Sequence, residues 1–244
     1  MSRVNFIRVI LTAVRIASVP DRVTIVSEPS LDAGGMVTGT KSRMARSIAL
    51  AVVVLNVVQI RYWLGLDMAL LGLVGLVAVL CLNDGHAKPF GMKLVPTQGW
   101  WYWWRLAFLF GFWIGLALMV YVAVWLLLGK ERPVIRTYPS IHAFVGMCVH
   151  APLAEEVIYR VLLIAAVLPT IGKWSSIVLS GVIFAMAHVL GGNASPENQI
   201  AGFMLAWAYL ESETILVPIA MHSGGNLIAL GSQVVGWYWS GESF

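Results

Sequence analysis

Long apolar runs with almost no charge constrain the fold of this chain more than any other feature of its sequence. A helix needs roughly 20 mostly apolar residues to cross the hydrocarbon core of a bilayer. Seven runs are candidates, in chain order Ser47–Leu64, Met68–Leu82, Arg105–Leu128, Ile141–Leu168, Trp174–Leu190, Gln199–Leu210 and Ile215–Leu230. The second and sixth are short, which allows a tight hairpin or a partial span there. The pattern predicts an all-α fold, a polytopic transmembrane helix bundle of about 7–8 spans.

The composition favours a membrane protein over a soluble one. Of the 244 residues, 59% are hydrophobic and 11% are charged, whereas a soluble domain carries about 25% charged residues. The formal net charge of +4 comes without a basic stripe on a polar domain, so anionic lipid head groups are a better partner than nucleic acid. We expect a multi-pass integral membrane protein, in a bacterial inner membrane rather than an organelle membrane.

The chain divides into an N-terminal arm and a membrane domain. Residues 1–46 form a basic amphipathic arm and linker, because a helix over Val4–Ser18 would place Arg8 and Arg15 on one face. Such a helix lies in the membrane interface. A transit peptide is the alternative, since that stretch has no acidic residue. Residues 47–244 form the transmembrane domain.

The distribution of basic residues bears on topology. The arm and the loop Asn83–Trp104 carry Lys and Arg, which predicts that both are cytoplasmic. Lys130, Arg132 and Arg136 then fall on the wrong side in a simple seven-span count. Either one short span does not cross, or an extra re-entrant element exists.

The third run carries two local patterns. The segment directly before it, Trp100–Trp104, is entirely aromatic and predicts a belt at the water edge of this span. Gly111 and Gly115 form a small-xxx-small pair, which lets two helix backbones approach closely. Two glycines four apart also arise by chance.

Charged residues inside the fourth run are the first sign of function. A charge at the centre of a spanning helix costs about 2.5–3.5 kcal/mol on insertion scales, so such residues face the bundle interior. Glu156 and Arg160 are four apart and can pair on one helix face. Glu155 is rotated by about 100° from its neighbour and is left over. Pro152 should bend the helix and free the carbonyl of Cys148.

Two later runs add further polar groups. Phe184 and His188 share a face of the fifth run, and His222 and Asn226 share a face of the seventh. Taken singly, Glu156 and Arg160 are a buried structural pair, and each histidine is a hydrogen-bonded packing residue. Taken together with the unpaired Glu155, they supply a base and hydrogen-bond donors, which are the parts that hydrolysis needs.

These motifs resemble the CAAX protease and bacteriocin-processing family, also called the Abi family of intramembrane glutamate proteases. That family shows Glu-Glu-xxx-Arg, then Phe-xxx-His, then His-xxx-Asn/Asp, each on a different helix, and this chain has the three motifs in that order. The resemblance covers roughly residues 152–226, with the motifs inside 141–230. It departs at Tyr159 and Val161, where the family often has Phe and Gly. Tyr159 is also four residues from Glu155 and could form a hydrogen bond with it.

The resemblance implies a role for each motif residue. Glu155 would activate the attacking water, and His188 would help to position or deprotonate it. His222 and Asn226 would stabilise the tetrahedral oxyanion. Supporting roles fall to the residues around these four: Glu156, Arg160, Phe184 and Tyr159. Because Glu155 must be ionised in an apolar setting, a water-filled pocket open to one membrane face is expected.

The function predicted is therefore a metal-independent intramembrane endopeptidase of glutamic type, with no cofactor. Its substrate would be a membrane protein or a lipid-anchored peptide. A zinc peptidase is one alternative, because Glu and His are zinc ligands in many hydrolases, although no His-Glu-x-x-His motif is present. A proton-coupled transporter or an inactive membrane scaffold is another, because intramembrane Glu and His also form proton relays.

Overall fold

The structure is a computed structural model that describes residues 40–82, 91, 93–129 and 137–239. Within these residues it is all-helical, as predicted. The helices are α1 (Thr40–Tyr62), α2 (Met68–Leu82), α3 (Trp100–Leu127), α4 (Ile141–Leu190), α5 (Pro196–Ser212) and α6 (Leu216–Trp239). Three predicted features lie outside the described residues: the amphipathic helix Val4–Ser18, the part of the arm before Thr40, and the basic residues of 130–136.

Three of the helices are long and apolar enough to cross a membrane. They are Lys41–Tyr62, Trp100–Tyr121 and Ile141–Leu190, and α2 is a shorter apolar helix of 15 residues. The described part of the chain thus fits an integral membrane protein with three candidate spans and further shorter apolar helices. The count of about 7–8 spans stays a prediction.

The long helix α4 consists of two limbs that meet at Gly172. This residue has φ 74° and ψ 176°, which is outside the helical region and is accessible to glycine because it lacks a Cβ atom. The break falls between the two runs predicted to end at Leu168 and to begin at Trp174. We refer to residues 141–171 as the first limb and to residues 173–190 as the second limb.

The first limb lies at the centre of the core. Ile158, Val161, Leu162 and Leu163 are at most 1% exposed, although they point in different directions around the helix. The helices α1 and α2, the second limb and α5 pack around them. The polar side chains of Glu156 and Arg160 on this part of the limb are consequently removed from both lipid and bulk water.

Glycines set the distance between the second limb and α5. A Cβ atom at Gly202 would lie 3.0 Å from the carbonyl oxygen of Gly181 and 3.0 Å from the ring of Phe184. At Gly111 and Gly115 of α3, in contrast, an added Cβ would meet nothing within 4 Å. The helix approach predicted at Gly111 and Gly115 is therefore not found among the described residues.

The aromatic helix α3 is attached to the bundle at its start. Trp103 is 1% exposed and packs against Trp207, with 5.5 Å between ring centroids. Farther along, Phe108 is 79% exposed and Leu127 is 86% exposed. The aromatic belt forms the first turn of this helix, and most of α3 presents an apolar surface of the kind that faces lipid.

Candidate active site

Two π-helical segments shape the first limb. They are Gly146–His150 and Val157–Leu162, and they flank the α-helical segment Ala151–Glu156. In a π-helix each N–H group bonds to the carbonyl five residues back instead of four. The N–H of Ala151 accordingly bonds to the carbonyl of Gly146. Short π-segments inside α-helices occur frequently at functional sites.

Pro152 lacks the N–H group that would bond to a carbonyl one turn earlier in the helix. An α-helical register would free the carbonyl of Cys148, whereas five residues back in the π-register is Met147. The carbonyl of Met147 accepts a hydrogen bond of 2.7 Å from Nδ2 of Asn226. The prediction that the carbonyl of Cys148 is freed stays a prediction. The amide of α6 substitutes for the N–H group that proline lacks.

The predicted pair of Glu156 and Arg160 is confirmed and is fully buried. Nε of Arg160 lies 2.9 Å from Oε2 of Glu156, and both side chains are 0% exposed. The other oxygen, Oε1, lies 2.8 Å from Nδ1 of His222. Arg160 also donates to the hydroxyl of Ser180 at 2.9 Å. This network ties the first limb to the second limb and to α6.

Glu155 lies within reach of both predicted histidines. Its Oε2 atom is 3.8 Å from Nε2 of His188 and 3.9 Å from Nε2 of His222. The Glu155 side chain is 13% exposed, and Oε2 forms no hydrogen bond with the described residues. The folded chain thus gathers a carboxylate oxygen and two imidazole nitrogens from the first limb, the second limb and α6.

The hydrogen bonds of the two imidazoles determine which nitrogen faces Glu155. Nδ1 of His188 lies 3.0 Å from the carbonyl oxygen of Phe184, which can only accept. Nδ1 of His222 lies against the carboxylate of Glu156. Both Nδ1 atoms therefore carry hydrogen, and each Nε2 is left to exchange a proton with Glu155 or with a bound molecule.

Phe184 is the packing centre of the site. Its ring centroid lies 4.3 Å from that of His188, 5.8 Å from that of His222 and 5.5 Å from that of Tyr159. The guanidinium carbon of Arg160 lies 4.8 Å from the same centroid, which is a cation–π distance. One aromatic side chain of the second limb therefore fixes the orientation of both imidazoles.

Tyr159 has a different partner from the one predicted. Its hydroxyl accepts a hydrogen bond of 2.7 Å from Nδ2 of Asn56 on α1, rather than bonding to Glu155. Gln59 in turn donates to Asn56 at 3.3 Å. Sequence reasoning missed Asn56, Gln59 and Ser180. The available signal was the presence of two amides three residues apart in the first apolar run.

A zinc site is an alternative that the Glu and His residues of this site raise. Among the residues that the structure describes, no group of three or more His, Cys, Asp or Glu side chains could hold a metal ion. The carboxylate oxygen of Glu155 and the two Nε2 atoms are nevertheless donor types that zinc accepts.

Comparison with known proteins identifies a family for the part of the chain that holds these residues. Residues 137–228 match the family described as type II CAAX prenyl endopeptidase Rce1-like. No curated protein and no solved structure matches the chain. The family resemblance predicted from the three motifs is confirmed for this segment, which contains all of the motif residues. This family implies peptidase activity in a membrane.

Proposed function

We propose, from the premise that residues 137–228 form an Rce1-like CAAX endopeptidase domain, that the chain is an intramembrane peptidase of glutamic type. In this proposal Glu155 activates the water that attacks the peptide bond. One observation carries it: Nε2 of His188 and Nε2 of His222 lie 3.8 and 3.9 Å from the same oxygen of Glu155. These distances exceed a direct hydrogen bond and allow a single water molecule to contact both a nitrogen and the carboxylate.

The proposed reaction uses Glu155 as a general base. Its carboxylate accepts a proton as the water oxygen bonds to the carbonyl carbon of the substrate, which gives a tetrahedral intermediate. When the C–N bond breaks, that proton passes to the leaving amine, and Glu155 returns to its ionised form. His188 lies on the same side and positions the water through Nε2, because its Nδ1 is held by the carbonyl of Phe184.

His222 and Asn226 would act on the oxyanion. His222 donates from Nδ1 to the buried carboxylate of Glu156, which stabilises the imidazolium form and leaves Nε2–H to donate to the developing charge. Asn226 uses one N–H of its amide on the carbonyl of Met147. The second N–H is available, because the side-chain amide of asparagine has two donors.

The name of the matched family indicates the first substrate class to test. A prenylated C-terminal peptide combines a peptide bond with a lipid anchor, and the apolar surface of the bundle places such an anchor in the same membrane. We propose a membrane-anchored peptide or protein segment as the substrate.

Comparative proteomics of membrane-protein termini tests this proposal and identifies the substrate in the same experiment. Cells that carry the wild-type chain are compared with cells that carry Glu155→Ala at equal protein level. We expect a set of new termini that is present with the wild type and absent with the variant. Identical sets of termini in the two strains would contradict the proposal.

A zinc peptidase is the alternative to test, because Glu and His are zinc ligands in many hydrolases, although no group of three or more His, Cys, Asp or Glu among the described residues could hold a metal ion. Stoichiometric zinc in the purified protein, with cleavage that a chelator abolishes and zinc restores, would support this alternative. Cleavage by metal-free protein at an unchanged rate would support the glutamic mechanism.

A further inference from the structure

The contacts between the described helices define two ends of the bundle. At one end α1 and the second limb finish together, because a Cβ atom added at Gly191 would lie 3.6 Å from the side chain of Ile60. The helix α2 begins there as well, since Asp67, directly before it, lies 3.7 Å from His150 of the first limb. The helix α5 also begins there, one short loop after the second limb ends. We call this the Gly191 end.

The opposite end of the bundle is where the second limb begins and α5 finishes. Lys173 and Glu211 form an ion pair of 2.5 Å there. The N–H of Thr97, shortly before α3, bonds to the carbonyl of Ser212 at 3.1 Å, so α3 begins at this end too. The 23 residues of α1 extend away from Ile60 and therefore also begin on this side. We call this the Lys173 end.

The candidate active site lies toward the Gly191 end. His188 is in the last turn of the second limb, and its carbonyl accepts a hydrogen bond of 2.8 Å from the N–H of Asn193 in the following loop. The side chains of His188 and Glu155 are 15% and 13% exposed. Farther along the second limb toward the Lys173 end, Phe184 and Ser180 are fully buried. The described core is thus closed toward the Lys173 end, and water and a substrate would reach Glu155 from the Gly191 end.

Basic residues are concentrated at the Lys173 end. Outside the buried Arg160, the Gly191 end has Arg61 as its one Lys or Arg among the described residues, whereas the Lys173 end has Lys41, Arg43, Arg46, Lys93, Arg105 and Lys173. The joining segments keep this asymmetry in the sequence. The arm that leads into α1 carries four further arginines and the segment between α2 and α3 carries Lys88, against Lys130, Arg132 and Arg136 between α3 and the first limb.

This charge asymmetry indicates which face of the membrane each end occupies. Lys and Arg in short loops near the ends of spans stay on the cytoplasmic side, where anionic lipids attract them. We propose that the Lys173 end is cytoplasmic and that the active site opens at the Gly191 end, on the opposite face of the membrane.

The orientation narrows the substrate class, an inference that rests on the proposed peptidase function. The substrate is a membrane-anchored segment that is exposed on the side away from the cytoplasm. A prenylated C-terminal peptide would be cleaved only if it were presented on that face.

Cysteine labelling tests the orientation without requiring activity. The full chain with Cys81→Ser and Cys148→Ala receives one new cysteine, either Ala194→Cys in the exposed loop at the Gly191 end or Leu94→Cys at the Lys173 end, where Leu94 is 79% exposed. Bacterial spheroplasts and inverted membrane vesicles are treated with a membrane-impermeant maleimide. We expect Ala194→Cys to react in spheroplasts and Leu94→Cys to react only in inverted vesicles. The reverse pattern, or reaction of both cysteines on one face, would overturn the proposal.

The sidedness of cleavage tests the same proposal on the unmodified chain, which removes any effect of the cysteine substitutions on folding. A fluorogenic peptide that spans a cut site from the proteomic comparison, anchored by one palmitoyl chain, is added to spheroplasts and to inverted vesicles. We expect the wild type to cleave it in spheroplasts, with loss of cleavage in inverted vesicles, and Glu155→Ala to cleave it in neither.

The two measurements separate the orientation from the proposed function. Cleavage in inverted vesicles alone would overturn the orientation and leave the peptidase function intact. A wild type that cleaves no more than Glu155→Ala in either preparation would overturn the peptidase function, while the labelling pattern still decides the orientation.

Discussion

At the residue scale, the stability of the fold depends strongly on the buried pair of Glu156 and Arg160. Both side chains are fully buried and paired with each other, so removal of Arg160 leaves the buried carboxylate of Glu156 with His222 in place of a guanidinium. Arg160→Met should lower the free energy of unfolding by about 3–5 kcal/mol, as measured by denaturant unfolding in detergent.

A pair at the surface provides the control for this prediction. Lys93 pairs with Glu213, and the Lys93 side chain is 46% exposed. Lys93→Met should change the free energy of unfolding by at most about 1 kcal/mol, because solvent screens exposed pairs. Equal losses of unfolding free energy in Arg160→Met and Lys93→Met would contradict the claim that the buried pair stabilises the fold more than the exposed one.

Some residues of the site were predictable from the sequence and others were not, for identifiable reasons. Glu156 and Arg160 were predicted to pair because charges four apart in an apolar run have few other partners. Asn56 was missed because it is uncharged and lies 103 residues from Tyr159. No helical spacing relates residues so far apart, and an amide in an apolar run stands out much less than a carboxylate.

At the element scale, the contact between the second limb of α4 and α5 positions the ring that orients both imidazoles. A side chain at Gly202 would collide with the backbone of Gly181 and the ring of Phe184. Gly202→Val should therefore lower the unfolding free energy by about 1–3 kcal/mol and reduce the cleavage rate in liposomes. Gly115→Val is the control, because a Cβ there meets open space, and it should leave both quantities unchanged. Unaltered cleavage by Gly202→Val would contradict this account of how Phe184 is held.

A second prediction at this scale follows from the π-register of the first limb. Pro152→Ala restores an N–H group that can bond to the carbonyl of Met147 and so compete with Asn226. We expect kcat to fall about tenfold, the effect of one misplaced hydrogen bond, with little loss of stability. The control is Pro169→Ala, which lies in the same limb near the break at Gly172. A rate that is unchanged in Pro152→Ala, or lowered equally in Pro169→Ala, would contradict the assignment.

The elements themselves were predictable only in part. The boundary near Gly172 followed from the gap between two apolar runs. The π-register did not, because a shift of one residue leaves the hydrophobic pattern almost unchanged. The peripheral place of α3 was also unpredictable, since an evenly apolar helix has no polar face to indicate which side packs.

At the scale of the whole molecule, the structure joins an apolar exterior to a polar interior. The apolar surface of α3 suits lipid, whereas the first limb holds two carboxylates and one guanidinium in the core, with imidazole partners from the second limb and α6. The apolar runs made the membrane assignment predictable. The ordered motifs made the family predictable for the segment that carries them. The convergence of Glu155, His188 and His222 depends on how three helix segments pack, which sequence spacing alone does not determine.

The most direct test of the account is the cleavage rate of purified Glu155→Gln in liposomes, measured on a substrate found by the proteomic comparison. Glutamine keeps the size of the side chain but cannot act as a base. We predict a loss of about 10²–10⁴-fold, the usual contribution of a general base, while Glu213→Gln on the exposed turn cleaves at the wild-type rate. A folded Glu155→Gln protein that cleaves as fast as the wild type would contradict the claim that Glu155 activates the attacking water.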